Sequence, residues 1–199
     1  MSKLIVVVGN SGVGKTTLTQ ALCAAGKFAT GLEEHAARPF QSHFKNDPGF
    51  ALANQIDYLL LRAEQERLIR ADARTGLQDG GLEMDFFVFT RLFQRKGLLS
   101  PQEYDLCERV VSQIRSAQPP PEGFLWLTAP LEVVKERFTR RNRQLEIATR
   151  DDLKATEALL EEWLECIDPD RILRIDASRD DLNYACCLPE ALDFIANLQ

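Results

Sequence analysis

Lys3-Leu-Ile-Val-Val-Val-Gly-Asn-Ser-Gly-Val-Gly-Lys-Thr-Thr17 is the stretch from which the fold can be read. Leu4 to Val8 is an unbroken apolar run rich in β-branched residues, the pattern of a parallel strand buried on both faces. It ends at Gly9. Leu18, Ala21, Leu22 and Ala25 then recur at i, i+3, i+4 and i+7, which predicts a helix. Between strand and helix, Gly9-x-x-x-x-Gly14-Lys15-Thr16 has the spacing of a P-loop. The candidate nucleotide-binding residues are therefore Gly9, Asn10, Ser11, Gly12, Val13, Gly14, Lys15, Thr16 and Thr17. Glycines let successive backbone N–H groups converge on phosphate oxygens at the positive end of a helix. Lys15 adds a mobile cation, and Thr16 offers a hydroxyl to the Mg²⁺ that bridges the β- and γ-phosphates of a nucleoside triphosphate. ATP and Mg²⁺ are the expected cofactors. A chance match in a chain of this length has a probability of roughly 1%.

The 199 residues predict one domain, 1–199, with a core large enough to fold without staples. Hydrophobic residues at 45% and charged residues at 27% are ordinary globular composition, and no apolar run reaches membrane-spanning length. The start of the chain lacks a signal-peptide pattern, so a cytoplasmic location is expected. The net charge of −6 argues against nucleic acid as the main partner, because binding a phosphate backbone needs a broad basic surface. Cys23, Cys107, Cys166, Cys186 and Cys187 show neither a C-x-x-C pair nor zinc spacing and are expected to be reduced. His35 and His43 have no partner cluster for a metal.

Ala29 to Leu32 reads as a short strand delivering Glu33 and Glu34 to the carboxyl edge of a sheet, where ligands bind in open α/β folds. The proline-marked segment 38–49 reads as a loop with one helical turn at most. From Phe50 to about Ala73 a long helix is expected, with Ile56, Leu59, Leu60 and Ala63 as its apolar stripe and Gln55 and Arg62, seven apart, on one side. Residues 75–79 form a strand candidate ending in Asp79, a candidate catalytic and Mg²⁺-binding carboxylate. Leu82, Phe86, Phe89 and Phe93 predict a helix up to Gly97, with Asp85 one turn in. Ser100-Pro-Gln-Glu103 is a capping box that opens another helix. A strand at 124–127 is followed by a helix with Leu131, Val134 and Phe138 inside and Lys135, Arg137, Arg140, Arg141 and Arg143 outside. An acidic helix over 151–167, a strand over 171–176 and a last helix opened by Pro189 complete the chain. This alternation predicts an α/β fold of the P-loop NTPase type: a parallel five-stranded sheet with helices on both faces.

Two features point to a small-molecule kinase. The cluster from Arg137 to Arg143 can close over a triphosphate and neutralise charge on the transferred group, and Glu33 can accept the proton of an attacking hydroxyl. Over most of its length the chain resembles the deoxyribonucleoside kinases, especially the bacterial deoxyguanosine/deoxyadenosine kinases. The marks are the P-loop; Glu33 six residues before Pro39-Phe40, with Phe44 after it; Gln55 and Arg62; Asp79 and Asp85; Gly97-Leu-Leu-Ser-Pro-Gln-Glu-Tyr104; and Arg137-Phe-Thr-Arg-Arg-Asn-Arg143 followed by Glu146.

The resemblance implies a role for each. Glu33 would be the general base for the 5′-hydroxyl of a nucleoside; a neutral alcohol needs a base, whereas a phosphate acceptor would be repelled by the carboxylate. Gln55, Arg62 and Asp85 would select the base, with Phe44 in the substrate set. Arg141 and Arg143, with Arg137, would be the arginines of a lid at about 137–146 reaching the phosphates of ATP. A homodimer through helices such as 50–73 and 82–96 is implied as well. The chain departs from the family pattern at Gly80, where an arginine is expected after the acidic residue; Arg38 and Arg91 are the candidates to substitute for it. Glu34 stands where a proline is usual, which makes it an outside choice for the base. Two alternatives stay open: a nucleoside monophosphate kinase of the thymidylate kinase kind, and an ATP-binding relative without useful catalysis.

Overall fold

The opening apolar run is strand β1 (Leu4–Gly9), buried at every residue. Side chains alternate along a strand, so Ile5 and Val7 enter one core with Leu18 and Leu22 of helix α1 (Lys15–Ala25). Leu4, Val6 and Val8 enter a second core on the opposite face. The computed structural model describes residues 2–31, 38–141, 149–181 and 183–198, the side chain of Arg141 excepted.

With β2 (Ala29–Gly31), β3 (Gly76–Asp79), β4 (Gly123–Thr128) and β5 (Ile172–Asp176), β1 builds a five-stranded parallel sheet in the order β2-β3-β1-β4-β5. Val7 lies beside Asp79, Gly9 beside Leu127, and Thr128 beside Asp176, so the carboxyl ends of four strands share one edge. The loop leaving the central strand opens in the middle of that edge.

Three stretches differ from the sequence reading. Segment 38–49 contains a helix, α2 (Gln41–Asn46), and a 3-10 turn at Pro48–Phe50, because Phe44 is drawn into an apolar cluster with Ala51, Phe93 and Leu99. Tertiary burial here outweighs a polar local sequence. In the long helix α3 (Ala51–Arg70), Leu59 and Ala63 are buried as expected, but Leu60 is 53% exposed. Its inner face carries Asn54, Gln55, Arg62, Glu66 and Arg70 instead. The helix beginning at Leu82 is α-helical in α4 (Leu82–Met84), π-helical over Asp85–Thr90, and α-helical again in α5 (Arg91–Arg95). The wider turn redirects the expected stripe: Phe86 packs with Leu59 and Cys107, Phe93 with Phe44, and Met84, Val88 and Leu92 against the sheet.

The capping box is present at the start of α6 (Pro101–Ala117), where Glu103 Oε2 accepts from Ser100 N at 2.7 Å and Ser100 Oγ from Glu103 N at 3.3 Å. Helices α7 (Leu131–Arg141) and α9 (Leu188–Asn197) supply Val134, Ala191 and Ile195 to the core that holds Ile5. α8 (Asp152–Leu164) supplies Leu159, Leu160 and Trp163 to the other.

Candidate active site

The loop between β1 and α1 has the backbone its glycines predict. Gly14 takes a φ of +118°, and a Cβ there would overlap the hydroxyl of Tyr184, which donates to Gly14 O at 3.3 Å. Burial pushes the Tyr184 phenol up to about 12, so it remains a neutral donor. Lys15 Nζ arches back over the loop, donating to Gly9 O at 2.9 Å and Asn10 O at 3.1 Å. Asn10 is wholly buried. Its Nδ2 donates to Leu153 O and to Glu157 Oε2, both at 2.8 Å, and its Oδ1 accepts from Ser11 N at 2.9 Å, so the loop is tied to α8.

Arg137 closes the loop from the other side. Its Nη1 donates to Val13 O at 3.3 Å and Ala177 O at 2.6 Å, and its Nη2 to Arg179 O at 2.9 Å and Asp180 Oδ1 at 2.8 Å. The Arg137 guanidinium holds the Asp180 carboxyl below its ordinary value. Between α7, the P-loop and the segment after β5 lies a cleft of about 230 Å³, lined by Gly12, Gly14, Thr17, Arg137, Arg140 and Asp180 among others. Cations, convergent N–H groups and a helix N-terminus make it suited to polyphosphate.

At the end of β3, Thr16 Oγ1 donates to Asp79 Oδ2, and Asp79 Oδ1 is buried without a hydrogen-bond partner among the described residues. A hydroxyl and a carboxylate oxygen beside a phosphate cradle are hard oxygen donors, which fits Mg²⁺.

Asp79 also joins this half of the site to a second one. Its carbonyl accepts from Arg62 Nη1 at 3.1 Å, and Arg62 Nε donates to Asp85 Oδ2 at 2.7 Å, with the two side chains only 4% and 8% exposed. Gln55 Nε2 donates to Asp85 O at 3.0 Å, a carbonyl that also accepts from Thr90 Oγ1 at 3.0 Å within the π-helical turn. Gln55, Arg62 and Asp85 are thus brought together. Thr16 and Asp79 are brought together next to them.

Phe44 is placed in the cluster with Phe93, their ring centroids 5.2 Å apart. Arg38 pairs with Asp57 at 2.6 Å and Arg91 with Glu162 at 2.7 Å. The cation standing over Gly80 is Arg62, neither Arg38 nor Arg91. Glu33, Glu34, Arg143, Glu146 and the side chain of Arg141 lie outside the described residues. Sequence reasoning missed Asp180, Tyr184 and Glu157. The first two follow β5, and position at the carboxyl end of a parallel strand was the signal available for them.

A family model described as deoxynucleoside kinase matches residues 5–192. A deoxyadenosine/deoxycytidine kinase of Bacillus subtilis is 27% identical over 204 residues, covering 99% of this chain and 93% of its own. A deoxyadenosine kinase of Dictyostelium discoideum is 32% identical over 145 residues, covering 71% of this chain and 58% of its own. Solved structures of deoxyadenosine kinase from M. mycoides superpose with similar fold: with bound dCTP, the TM-score is 0.81 at 16% identity over 96% of this chain and 98% of the other. With bound dATP the TM-score is 0.80 at 16% identity over 96% and 99%. A match across nearly the whole chain, with the P-loop and the buried Gln55–Arg62–Asp85 group inside it, shows that the chain belongs to the deoxynucleoside kinase family.

Proposed function

We propose that this enzyme transfers the γ-phosphoryl group of ATP to the 5′-hydroxyl of a deoxynucleoside whose base carries an amino group beside a ring-nitrogen acceptor, as adenine and cytosine do. The observation that carries the proposal is the meeting of the two halves at Asp79, with its carboxylate on Thr16 and its carbonyl on Arg62. The names of the two curated relatives support the choice of base. A glutamine amide can bond such an edge with one donor and one acceptor, and Gln55 lies 3.0 Å from Asp85 O on the side where Arg62 and Asp85 supply complementary charge.

Lys15, the P-loop amides, Arg137, Arg141 and Arg143 hold the triphosphate. Thr16 and Asp79 would hold Mg²⁺, which when bound would offset charge on the triphosphate. Glu33 takes the proton as the 5′ oxygen forms a bond to the γ-phosphorus and the bond from that phosphorus to ADP breaks. β2 ends at Gly31, two residues before Glu33, which puts the exit of that strand on the sheet edge shared with Asp79. Such an enzyme works as a single domain in the cytoplasm. A homodimer fits α3, where Leu60 and Leu68, eight residues apart, are 53% and 58% exposed.

Incubating the protein with Mg-ATP and each deoxynucleoside, or its 5′-monophosphate, tests the proposal by chromatography of the products. Deoxyadenosine or deoxycytidine is converted to the monophosphate, and the monophosphates are not extended. Conversion of monophosphates alone would favour the nucleoside monophosphate kinase, and no conversion at all an ATP binder.

A further inference from the structure

We propose that Glu157 of α8 is a positioning residue for phosphoryl transfer: its carboxyl oxygen fixes the Asn10 side chain and so sets the phosphate-facing groups of the loop between β1 and α1. The inference rests on the kinase reading above and concerns its ATP half. Asn10 is wholly buried, with both polar atoms of its side chain engaged. Nδ2 donates to Glu157 Oε2 and to Leu153 O, both at 2.8 Å, and Oδ1 accepts from Ser11 N at 2.9 Å. Its backbone carbonyl accepts from Val13 N at 3.2 Å and from Lys15 Nζ at 3.1 Å. One residue thus directs two loop amides and the resting place of the mobile cation.

The anchor on the other side is fixed. α8 is pinned in its first turn by Asp152, which accepts from Lys96 Nζ and from Thr149 N, both at 2.8 Å. Near its end Glu162 accepts from Arg91 Nη2 at 2.7 Å and Arg95 Nη2 at 2.9 Å. Between these points Leu153, Leu159 and Leu160 are wholly buried. Glu157 follows Leu153 by one helical turn, so Leu153 O and Glu157 Oε2 lie in line and receive the two hydrogens of one amide. Leu153 O is backbone, which leaves Glu157 as the acceptor that residue choice supplies.

A carboxylate hydrogen-bonded to a phosphate cradle repels the ligand that the cradle binds. What Glu157 contributes is therefore the hydrogen bond and not the charge, and substitution separates the two. Glu157→Gln keeps an oxygen for Asn10 and removes the charge. Glu157→Met keeps the length and removes the oxygen. The test is the dissociation constant for Mg-ATP by isothermal titration calorimetry, with kcat and both KM values, in wild type, these two variants, Asn10→Ala, and Asn10→Ala combined with Glu157→Met. Glu157→Met is expected to weaken Mg-ATP binding by about 10-fold or more and to lower kcat, with the nucleoside KM changed by less than about 2-fold. Glu157→Gln binds Mg-ATP at least as tightly as wild type. In the Asn10→Ala background Glu157→Met adds less than about 2-fold, because the group it acts through is gone.

Glu157→Gln as weak as Glu157→Met would place the effect in the charge and overturn the inference. So would effects that multiply in the double variant, or a nucleoside KM that rises as far as that for ATP, the mark of a general structural defect. Should Glu157→Met not fold, Glu157→Ser, too short to reach Asn10, takes its place. If neither folds, Glu157→Gln decides: full Mg-ATP affinity supports the hydrogen bond, and weaker binding overturns the proposal. Failure of the kinase reading shows separately, as wild-type protein that binds Mg-ATP and phosphorylates no nucleoside; the calorimetric comparison then tests the inference by itself.

Discussion

Asp79 serves two neighbours with two different groups, its carboxylate to Thr16 and its carbonyl to Arg62. Asp79→Asn keeps the shape but removes the charge that a divalent cation needs. The expected result is a kcat lower by about 10²–10³ with the nucleoside KM little changed, read by steady-state kinetics. Thr16→Ala should shift the Mg²⁺ requirement upward in the same assay. Glu157 makes a different prediction. Burial raises its carboxyl above the ordinary value of 4.5, against the lowering effect of the Asn10 hydrogen bond. A carboxyl that titrates higher in the folded chain than in the unfolded one stabilises the fold most below pH 4.5, and that contribution is lost as the pH rises through the raised value. Glu157→Gln keeps the acceptor for Asn10 and removes the titration. Urea midpoints of the variant should therefore fall less than those of wild type as the pH rises from 4.5 towards neutral. Parallel curves would contradict this.

α3 explains why part of the site was legible in the sequence and part was not. The seven-residue spacing of Gln55 and Arg62 fixed their common side, and that side proved to face Asp85. The expectation of an inward apolar stripe held for Leu59 and Ala63 but failed for Leu60, because the inner face also carries polar residues satisfied by partners from distant elements, which periodicity cannot reveal. The same holds for Glu66, wholly buried between Arg70 at 3.1 Å and Arg115 at 2.8 Å, with Arg115 also on Glu83. Arg115→Ala leaves buried carboxylates with fewer partners and should destabilise the protein by about 3 kcal/mol or more in urea titrations. A change below about 1 kcal/mol would mean that the network contributes only as exposed ion pairs do. The π-helical turn at Asp85 was equally hidden. Asp85 O at its start accepts from Gln55 Nε2 and Thr90 Oγ1, a pairing across 30 residues that residue type does not announce.

At the scale of the whole molecule, the parallel sheet and its strands were legible because β1 is apolar on both faces and β3, β4 and β5 end in turn signals. The cleft beside Arg137 was not, since it is closed by the segment after β5, some 170 residues from the P-loop it touches. If α3 forms a dimer interface, Leu60→Glu with Leu68→Glu should convert a dimer to a monomer in light scattering while the helix remains folded. A wild-type monomer would exclude that assembly. The central claim is that one nucleoside lies between Asp85 and Asp79 while the triphosphate lies in the P-loop. A crystal structure with deoxyadenosine, ADP and Mg²⁺ tests it most directly. The account predicts the base edge within about 3.2 Å of Gln55 and the 5′ oxygen at the Asp79–Thr16 end. A nucleoside bound elsewhere, with Gln55 and Arg62 touching only protein, would contradict it.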